Sequence, residues 1–578
     1  MISLFKQARL SKVKIALLVI FILLQMLGTL YLPNLTADII NNGVLRADRD
    51  YVISTGLLML LVAVLTGVFS ILSTYFSSEI ATRFSRNIRN RLFKHTQKLS
   101  YQDYKVYSTG SLITRATNDV EQIQGAIGMF FEMIIPAPFV VVVGMILSLM
   151  RDTVMGLIIF VSTLIFGMAF GLVSTKVLPL FAQTQKGLDK VNSIVSQYLS
   201  GIRVVRAFNR TKLEKDKMDE SFQSLARINI RINRLFAMVM PLVMFVMSLT
   251  TVAILWFGGV RIDSGHMEIG DIMAVIEYSM NILFYLLMAV FALIFIPRAK
   301  VSAERINEVL HKEPEIADGE ENTVLPAIEE VTFHNVSFSY KDAENPVLQD
   351  LNFTCKQGTT TAIIGGTGSG KSTLARLIPR LLDVSGGKIT MNGIDVNDMS
   401  QESLRANIGF VAQKAHLFGG TIESNLLSGN PAATAEELEF ALQTACAADF
   451  VNALPERLEA KVNQGGSNFS GGQRQRLSIA RMLVKKPGIY IFDDSFSALD
   501  YKTDAMIRQS LKEYTADAIF INIAQRITTI KDAEQIIVID EGRIVGKGTH
   551  KELLSTCEIY LDIAKSQLSE EELANELR

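Results

Sequence analysis

Residues that build disulfide frameworks or metal clusters are scarce in this chain. Its 578 residues include only three cysteines, six histidines and one tryptophan. The cysteines Cys355, Cys446 and Cys557 show neither pairing nor metal-ligand spacing, so we expect reduced and structurally ordinary thiols. Net charge is also nearly absent, because 57 basic residues stand against 58 acidic ones. This balance gives no indication of nucleic-acid binding.

Charged residues are rare in long stretches of the N-terminal half. Six of these stretches approach the roughly 20 apolar residues that a helix needs to cross a bilayer. They lie at about 15–35, 53–77, 127–149, 153–175, 236–258 and 272–296. The first follows several basic residues but lacks a small-residue cleavage site, so we interpret it as a membrane helix and not as a signal peptide. The sequence therefore predicts an α-helical membrane domain with six transmembrane helices.

Basic residues concentrate in two segments, between the second and third and between the fourth and fifth predicted spans. Because basic loops stay in the cytosol, both termini are predicted to be cytosolic, in a multi-pass protein of a bacterial plasma membrane. Apolar residues recur every fourth position at Ile80, Phe84 and Ile88. This period predicts that membrane helices continue into the cytosol and turn near residues 107–110 and 199–201. The turns would dock a soluble domain; the alternative is that the basic helices bind lipid headgroups.

Two acidic residues, Glu132 and Glu277, fall inside predicted spans. A carboxylate is costly in a bilayer unless it faces a cavity or a partner, so a functional role is the first hypothesis. In an apolar cavity such groups would favour cationic amphiphilic substrates. The alternatives are an interhelical hydrogen bond and a position near the membrane surface, and the sequence leaves this choice open.

A change of composition marks the boundary between two domains. Acidic residues, proline and glycine interrupt the helical period after the last span, as in a linker. We therefore predict a membrane domain over residues 1–311, a linker over 312–330 and a soluble α/β domain over 331–578. Alternating apolar residues predict that two short strands, Val331–Phe333 and Val336–Phe338, open the soluble domain.

A glycine-rich segment of the soluble domain matches the pattern G-x-x-x-x-G-K-[ST]. It follows an apolar strand and precedes a helix, which is the context in which loop N–H groups close around phosphates. The lysine of this pattern reaches the outer phosphates, and the serine holds Mg²⁺. We expect an ATP site formed by Gly365, Gly366, Thr367, Gly368, Ser369, Gly370, Lys371, Ser372 and Thr373.

A second glycine-containing segment opens a later helix with the residues Ser470, Gly471, Gly472 and Gln473. Farther on, an apolar strand ends at Asp493. The phosphate loop, this SGGQ segment and the strand-terminal aspartate, in this order, resemble the ATP-binding cassette (ABC) proteins. With six membrane helices ahead of the cassette, the whole chain resembles an ABC exporter half-transporter. In particular, it resembles the degenerate-site subunit of bacterial heterodimeric multidrug exporters.

The resemblance implies roles for further residues. Tyr340 would stack on adenine, with a strand-core tyrosine as the alternative. Ser372, Gln413 and Asp493 would hold Mg²⁺, and Asp500 would cross the interface between two cassettes. In this family two cassettes enclose two ATP molecules, each held by the phosphate loop of one chain and the SGGQ helix of the other. ATP and Mg²⁺ are therefore the expected cofactors.

Two catalytic positions depart from the family pattern. Asp494 stands where a glutamate polarises the attacking water, and Gln525 replaces a histidine that contacts the γ-phosphate. Because catalytic geometry is sensitive at the ångström level, the shorter carboxylate is expected to cost on the order of 100-fold in rate. Glutamine forms hydrogen bonds but cannot carry a proton charge at neutral pH. We expect degenerate catalytic positions beside an intact phosphate loop and SGGQ segment.

The leading hypothesis is one half of a heterodimeric ATP-driven exporter of amphiphilic drugs or lipids. Its partner would be a second half-transporter with an intact catalytic glutamate and histidine, and the SGGQ segment of this chain would complete the partner's hydrolytic site. Two alternatives stay open. One is an ATP-binding regulatory or channel-like subunit that does not pump, and the other is a homodimeric exporter that tolerates Asp494.

Overall fold

The computed structural model describes residues 2–8, 10–319, 327–341, 343–514 and 517–576. The chain divides into two compact units, one of Met1–Gln97 with Thr109–Lys312 and one of Lys98–Ser108 with Glu313–Arg578. The segment Lys98–Ser108 therefore groups with the second unit, although it lies between two membrane helices in the sequence. Residues 320–326 of the predicted linker lie outside the described residues.

In its described residues, the first unit consists of helices joined by short turns and contains no strand. With α4, which belongs to the second unit, the helices of this part of the chain are α1 (Ile2–Gln7), α2 (Lys12–Asp38), α3 (Arg49–Thr96), α4 (Tyr101–Tyr107), α5 (Thr109–Thr114), α6 (Val120–Met129), α7 (Pro136–Arg151), α8 (Thr153–Ser200), α9 (Ile202–Ala207), α10 (Thr211–Asp263) and α11 (Ile269–Leu310). Three π-helical turns interrupt them, at Ile39–Val44, Arg115–Asp119 and Phe130–Ile134.

Six helical stretches of the described chain are long and apolar enough to cross a membrane, which confirms the predicted number. They are Lys12–Val44, Arg49–Thr96, Thr109–Arg151, Thr153–Val177, Thr211–Asp263 and Ile269–Leu310. Helix α3 has 48 residues. At 1.5 Å per residue it is about 72 Å long, more than twice the roughly 30 Å of a bilayer core. This length fits the predicted continuation of membrane helices beyond the bilayer, which stays a prediction.

The core of the first unit follows from a four-residue repeat of apolar side chains. In α2, Leu18, Ile22 and Met26 lie on one face and are buried. They belong to the same apolar cluster as Phe84 and Ile88 of α3. α2 and α3 therefore pack against each other through buried apolar stripes, while other apolar side chains of α2, such as Leu24 and Leu27, are exposed.

The second unit is built on a mostly parallel sheet. Its strands are β1 (Glu330–Phe338), β2 (Leu348–Lys356), β3 (Thr360–Gly365), β4 (Gly386–Met391), β5 (Ile394–Asp395), β6 (Ile408–Val411), β7 (Gly420–Thr421), β8 (Lys461–Val462), β9 (Ile489–Asp493), β10 (Ile519–Ile523), β11 (Gln535–Asp540) and β12 (Arg543–Gly548). The main sheet has the order β12-β11-β3-β10-β9-β6, in which only β12 is antiparallel to its neighbour. A four-stranded antiparallel sheet, β2-β1-β4-β5, and the pair β7-β8 complete the unit.

The later helices of the second unit surround these sheets. They are α12 (Lys371–Leu377), α13 (Gln401–Ala406), α14 (Ile422–Leu427), α15 (Ala435–Thr444), α16 (Ala448–Asn452), α17 (Gly471–Lys485), α18 (Tyr501–Tyr514), α19 (Ile527–Ile530), α20 (His550–Thr556), α21 (Glu558–Gln567) and α22 (Glu570–Glu576). All five residues of β9 and all five of β10 are buried, as expected for central parallel strands covered on both faces. The combination of a six-helix membrane part and an α/β cassette confirms the predicted fold class.

One prediction about the strands is wrong in detail. Val331–Phe333 and Val336–Phe338 are not separate strands but two parts of β1. The register with β2 shifts between Phe333 and Val336, and Asn335 there has φ of +46°. A bulge therefore carries the strand across the interruption that the sequence pattern suggested.

The topology brings four strand ends to one edge of the main sheet. β3, β10, β9 and β6 are parallel neighbours, so their carboxyl ends lie side by side. The segments that follow these strands contain the phosphate loop, Gln525, Asp494 and Gln413. Residues separated by up to 160 positions thereby meet where parallel sheets form ligand sites.

Candidate nucleotide-binding site

The phosphate loop connects the end of β3 to the start of α12. Gly368 has φ of +86° and Gly370 has φ of +98°, a region that side chains with a Cβ rarely enter. A Cβ on Gly370 would also lie 2.6 Å from Leu348 Cδ2. Glycine at these positions lets the backbone turn tightly, so that its N–H groups and the N-terminus of α12 are available to an anion.

Lys371, the first residue of α12, lies over this loop. Its Nζ donates hydrogen bonds to the carbonyl oxygens of Gly365, at 2.8 Å, and Gly366, at 2.6 Å. Burial lowers the pKa of Lys371, while the carboxylates of Asp494 and Asp493 act in the opposite direction. The ammonium group is therefore held at the loop, in the position from which a lysine reaches phosphate oxygens.

Ser372 and Asp493 form the oxygen-rich side of the site. The Ser372 hydroxyl donates a 2.7 Å hydrogen bond to Asp493 Oδ1, and Asp493 is only 1% exposed. Burial raises the pKa of Asp493, and the bond from Ser372 partly offsets this rise. Mg²⁺ in nucleotide sites takes one or two such protein oxygens together with phosphates and water. These residues fit that arrangement, and the described part of the chain contains no cluster of three metal-ligating side chains that would form a protein cage.

Asp494 lies at the centre of a hydrogen-bond network. Its Oδ2 atom accepts one bond from Gln413 Nε2 and one from Gln525 Nε2, both 2.9 Å long. Its backbone has φ of +50°, outside the usual range for aspartate. The backbone is fixed by bonds from Asp494 N to Ile523 O and from Ser497 Oγ to Asp494 O, both 2.8 Å. Burial raises the pKa of Asp494, against the bond from Gln413.

Tyr340 lies beside the start of α12. Its hydroxyl is hydrogen-bonded to the hydroxyl of Thr373 at 3.2 Å, and its ring packs edge-on against Phe338 with centroids 4.9 Å apart. The side chain is half-buried. It therefore borders the phosphate-loop helix and also packs on the strand core. This position is compatible with both predicted roles, stacking on adenine and packing in the strand core.

The SGGQ segment forms the N-terminus of α17. Ser470 Oγ accepts a 3.2 Å bond from the backbone N–H of Gln473, whose Oε1 accepts a 2.9 Å bond from the backbone N–H of Ser470. This capping box orders the first turn of a 15-residue helix. Ser470 and Gly471 are exposed, while Gly472 and Gln473 are half-buried. A preformed helix N-terminus therefore lies open at the surface of the described chain.

Asp500 is exposed and precedes α18. Its Oδ1 accepts a 2.9 Å bond from the backbone N–H of Thr503, and backbone hydrogen bonding from Thr503 lowers the pKa of Asp500. Within one chain the carboxylate thus caps the first turn of α18. Its predicted role between two cassettes stays a prediction.

Glu132 and Glu277 lie in the first unit, and both are exposed. Glu132 falls in the π-helical turn Phe130–Ile134, a type of interruption that is frequent at functional sites. Glu277 shares one face of α11 with Met273 and Met280, which are also exposed. Exposure does not fit a buried interhelical hydrogen bond. It fits side chains that face a cavity, lipid or a second subunit.

The site also includes a residue that the sequence did not indicate. Gln567, at the end of α21, forms hydrogen bonds to the backbone on both sides of Arg526. A single glutamine some 40 residues beyond the last motif has no sequence signal of its own. Only the packing of the C-terminal helices brings it to the site.

Comparison with known proteins gives the same organisation. The chain matches the model of the ABC transporter transmembrane region over residues 15–287 and the ABC transporter model over 348–497. It is 39% identical to an uncharacterized ABC transporter ATP-binding protein of Mycobacterium tuberculosis over 559 residues, covering 96% of both chains. It is 28% identical to the ATP-dependent lipid A-core flippase of Vibrio vulnificus, covering 97% of this chain and 96% of that one.

Among solved structures, a bacterial Atm1-family ABC exporter with ATP bound matches with a TM-score of 0.82. The match covers 97% of this chain and all of the other, at 24% identity, and so bears on the fold alone. The two family models match the two halves of the chain, the membrane helices first and the cassette second. The protein is therefore a member of the ABC transporter family, an ATPase-coupled transporter whose single chain has the fold of an ABC exporter half-transporter.

Proposed function

We propose that this chain is the ATP-retaining half of a heterodimeric exporter of amphiphilic molecules. Its own phosphate loop binds Mg²⁺ and ATP and hydrolyses ATP slowly, while its SGGQ segment completes a faster site on the partner chain. The partner is a second half-transporter with a catalytic glutamate and histidine.

The main support for this proposal is that Asp494 Oδ2 accepts hydrogen bonds from two amide groups. A general base accepts a proton from water within hydrogen-bond reach. Here one carboxylate oxygen already accepts bonds from Gln413 and Gln525, and the side chain is one methylene shorter than glutamate. Gln525 supplies a neutral amide and cannot carry the positive charge of a histidine. Positioning of the attacking water is accordingly weak.

Most of the affinity for ATP comes from groups other than these two side chains. The N–H groups of the phosphate loop and Lys371 bind the phosphates, and Tyr340 stacks on the adenine. Ser372, Gln413 and, directly or through water, Asp493 would hold Mg²⁺, which neutralises phosphate charge when it is bound. The 2.7 Å bond between Ser372 and Asp493 supports this assignment because it already brings two oxygen ligands together. Nucleotide affinity is thus retained where hydrolysis is lost.

The SGGQ segment serves the other ATP molecule. The N-terminus of α17 carries partial positive charge from its aligned peptide dipoles, and Ser470 and Gly471 are exposed. These groups contact the γ-phosphate of ATP on the partner's phosphate loop. Asp500, which is exposed before α18, extends toward the same interface.

The transported molecule is an amphiphile, either a drug or a lipid. A flippase of a lipid is among the relatives, and the exposed face of α11 combines Glu277 with Met273 and Met280. Flexible methionines accommodate varied apolar groups, and a carboxylate in such a cavity, here Glu277 and Glu132, favours a cationic head. The chain lies in a bacterial plasma membrane with both termini in the cytosol.

ATPase assays in proteoliposomes test the proposal. We expect the lone chain to turn over slowly and a complex with a matching half-transporter to be fast. Replacement of the partner's catalytic glutamate by glutamine abolishes this activity, whereas the matched change Asp494→Asn leaves most of it. Rapid turnover by the lone chain contradicts the proposal and favours a homodimer. Substrate flux that survives loss of the partner's glutamate favours a channel-like subunit.

A further inference from the structure

Gln567 binds the backbone of the segment that carries Gln525. Its Nε2 donates a 2.8 Å hydrogen bond to the carbonyl oxygen of Gln525, and its Oε1 accepts a 2.8 Å bond from the N–H of Ile527. One planar amide thus contacts the two backbone groups that flank Arg526. Two short hydrogen bonds from a single side chain fix both the position and the orientation of the backbone from Gln525 to Ile527.

The bond to Ile527 satisfies a group that would otherwise lack a partner in the helix. Ile527 is the first residue of α19, and the first N–H groups of a helix have no intrahelical acceptor. Arg526, at the N-cap, provides no side-chain bond. Helix α19 has only four residues and is too short to be stable alone. Gln567 therefore supplies, from another helix, an acceptor for one of the unpaired N–H groups in the first turn of α19.

Helix α21 is itself firmly anchored. Tyr560 and Ala564 are fully buried in the apolar cluster that contains Ala524 and Ile530. The Tyr560 hydroxyl is also hydrogen-bonded to Nδ1 of the buried His550 at 2.7 Å. Because these contacts hold α21 against the segment after β10, its last residue acts as a fixed support for that segment.

The supported segment leads directly to the nucleotide site. On one side, Ala524 N donates a 3.1 Å bond to Ile363 O in β3. On the other side, Gln567 holds Gln525 O. Between these two anchors the side chain of Gln525 extends to Asp494 Oδ2 at 2.9 Å. A loss of the second anchor frees the backbone of Gln525 and with it the direction of its side chain.

We propose that Gln567 is a positioning residue of the nucleotide site, which sets Gln525 and through it the preference of the site for a γ-phosphate. The inference rests on the proposed assignment of Gln525 to the γ-phosphate. It adds the C-terminal helix α21 to the elements that determine which nucleotide the site retains.

The test measures nucleotide affinity in the full-length chain reconstituted in lipid, with Mg²⁺ and the fluorescent probes mant-ADP and mant-AMP-PNP. The readout is the ratio of their dissociation constants, which reports the γ-phosphate contribution.

Gln567→Met keeps the length of the side chain and removes both bonds. Because Gln567 is exposed and each bond contributes modestly, we expect the ratio to fall on the order of three- to tenfold. Ser566→Ala, whose hydroxyl bonds only within α21 to Ile563 O, is the matched control and leaves the ratio unchanged.

Two comparisons separate positioning from a general loss of structure. Gln567→Glu keeps the acceptor for Ile527 and loses the donor to Gln525 O, so it lowers the ratio while α19 stays capped; mant-ADP affinity within twofold of wild type shows that both variants are folded. In a Gln525→Ala background, Gln567→Met has no further effect, because both act through one side chain.

An unchanged ratio in both Gln567 variants overturns the inference. So does a fall of the ratio on Gln567→Met that is as large in the Gln525→Ala background as in wild type. Fast ATP turnover by the lone wild-type chain contradicts the proposed heterodimer instead. It leaves this readout valid, because mant-AMP-PNP is not hydrolysed.

Discussion

In the proposed function the cassette contacts ATP through two glycine-containing turns at helix N-termini, and their surroundings differ. The turn before α12 lies beside Asp494 and Gln525, the two positions proposed to be degenerate. The turn before α17 keeps an ordered capping box at Ser470. Both turns act mainly through backbone N–H groups, which side-chain changes nearby leave in place. Hydrolysis depends instead on the length and protonation of particular side chains. A site can therefore lose hydrolysis and keep binding.

The largest expected effect concerns nucleotide binding at the turn before α12. Lys371→Ala removes the buried ammonium group that the loop carbonyls hold. Hydrogen bonds to charged groups contribute about 1.5–3 kcal/mol, so mant-ATP affinity is expected to fall about 10- to 100-fold. Titration of the reconstituted chain measures this change. Lys388→Ala, at an exposed position of β4, is the matched control and leaves the affinity unchanged. An affinity near that of wild type in Lys371→Ala refutes the assigned phosphate loop.

The next effect concerns the turn before α17. Ser470→Ala removes the cap and the hydroxyl proposed to contact the partner's ATP, so ATPase activity of the complex is expected to fall about tenfold. Mant-ATP affinity at this chain's own loop stays within twofold. Ser400→Ala removes an equivalent cap, from α13 in the same unit, and is expected to leave the ATPase activity unchanged. Equal losses in the two variants would show that Ser470 matters only for stability.

The smallest effect concerns the helices that support the site. Burial lowers the pKa of His550, and the nearby charge of Lys531 lowers it further. Glu576, which lies 3.8 Å from His550 Nε2, acts in the opposite direction because it favours the charged form. An unfolded histidine has a pKa near 6.5. The native state therefore binds fewer protons, and its stability is lost as the pH falls from about 6.5 toward the native pKa of His550.

Thermal unfolding of the full chain between pH 7.5 and 5.5 measures this contribution. We expect His550→Gln to reduce the acid-induced drop of Tm by a few degrees relative to wild type, and His416→Gln, an exposed histidine, to leave it unchanged. A wild-type drop that persists fully in His550→Gln contradicts the assignment.

Motifs with a local mechanism were predictable from the sequence, and contacts between distant segments were not. Six long apolar stretches and a strand–loop–helix around Lys371 follow from composition and spacing alone. The bulge that joins the two parts of β1 was not predicted, because a left-handed residue such as Asn335 has no clear signal. The grouping of Lys98–Ser108 with the second unit was not part of the predicted domain division.

The candidate site shows the same limit. The family pattern pointed to Asp494 and Gln525, but not to the single oxygen on which the amides of Gln413 and Gln525 converge. That convergence results from the strand order β3-β10-β9-β6, which sequence spacing does not encode. Gln567 reaches the site only because α21 buries Tyr560 and Ala564. Tertiary packing, and not local propensity, determines these contacts.

Single-turnover ATP hydrolysis by the purified lone chain measures directly whether Asp494 and Gln525 slow this site. It compares wild type with a variant that combines Asp494→Glu and Gln525→His. We expect slow hydrolysis by wild type and an acceleration on the order of 100-fold in the variant, because the carboxylate gains a methylene and the amide is replaced by a titratable ring. Mant-ATP affinity stays within twofold as the control. Wild-type hydrolysis that is already as fast as that of the variant would contradict the proposed degeneracy of Asp494 and Gln525.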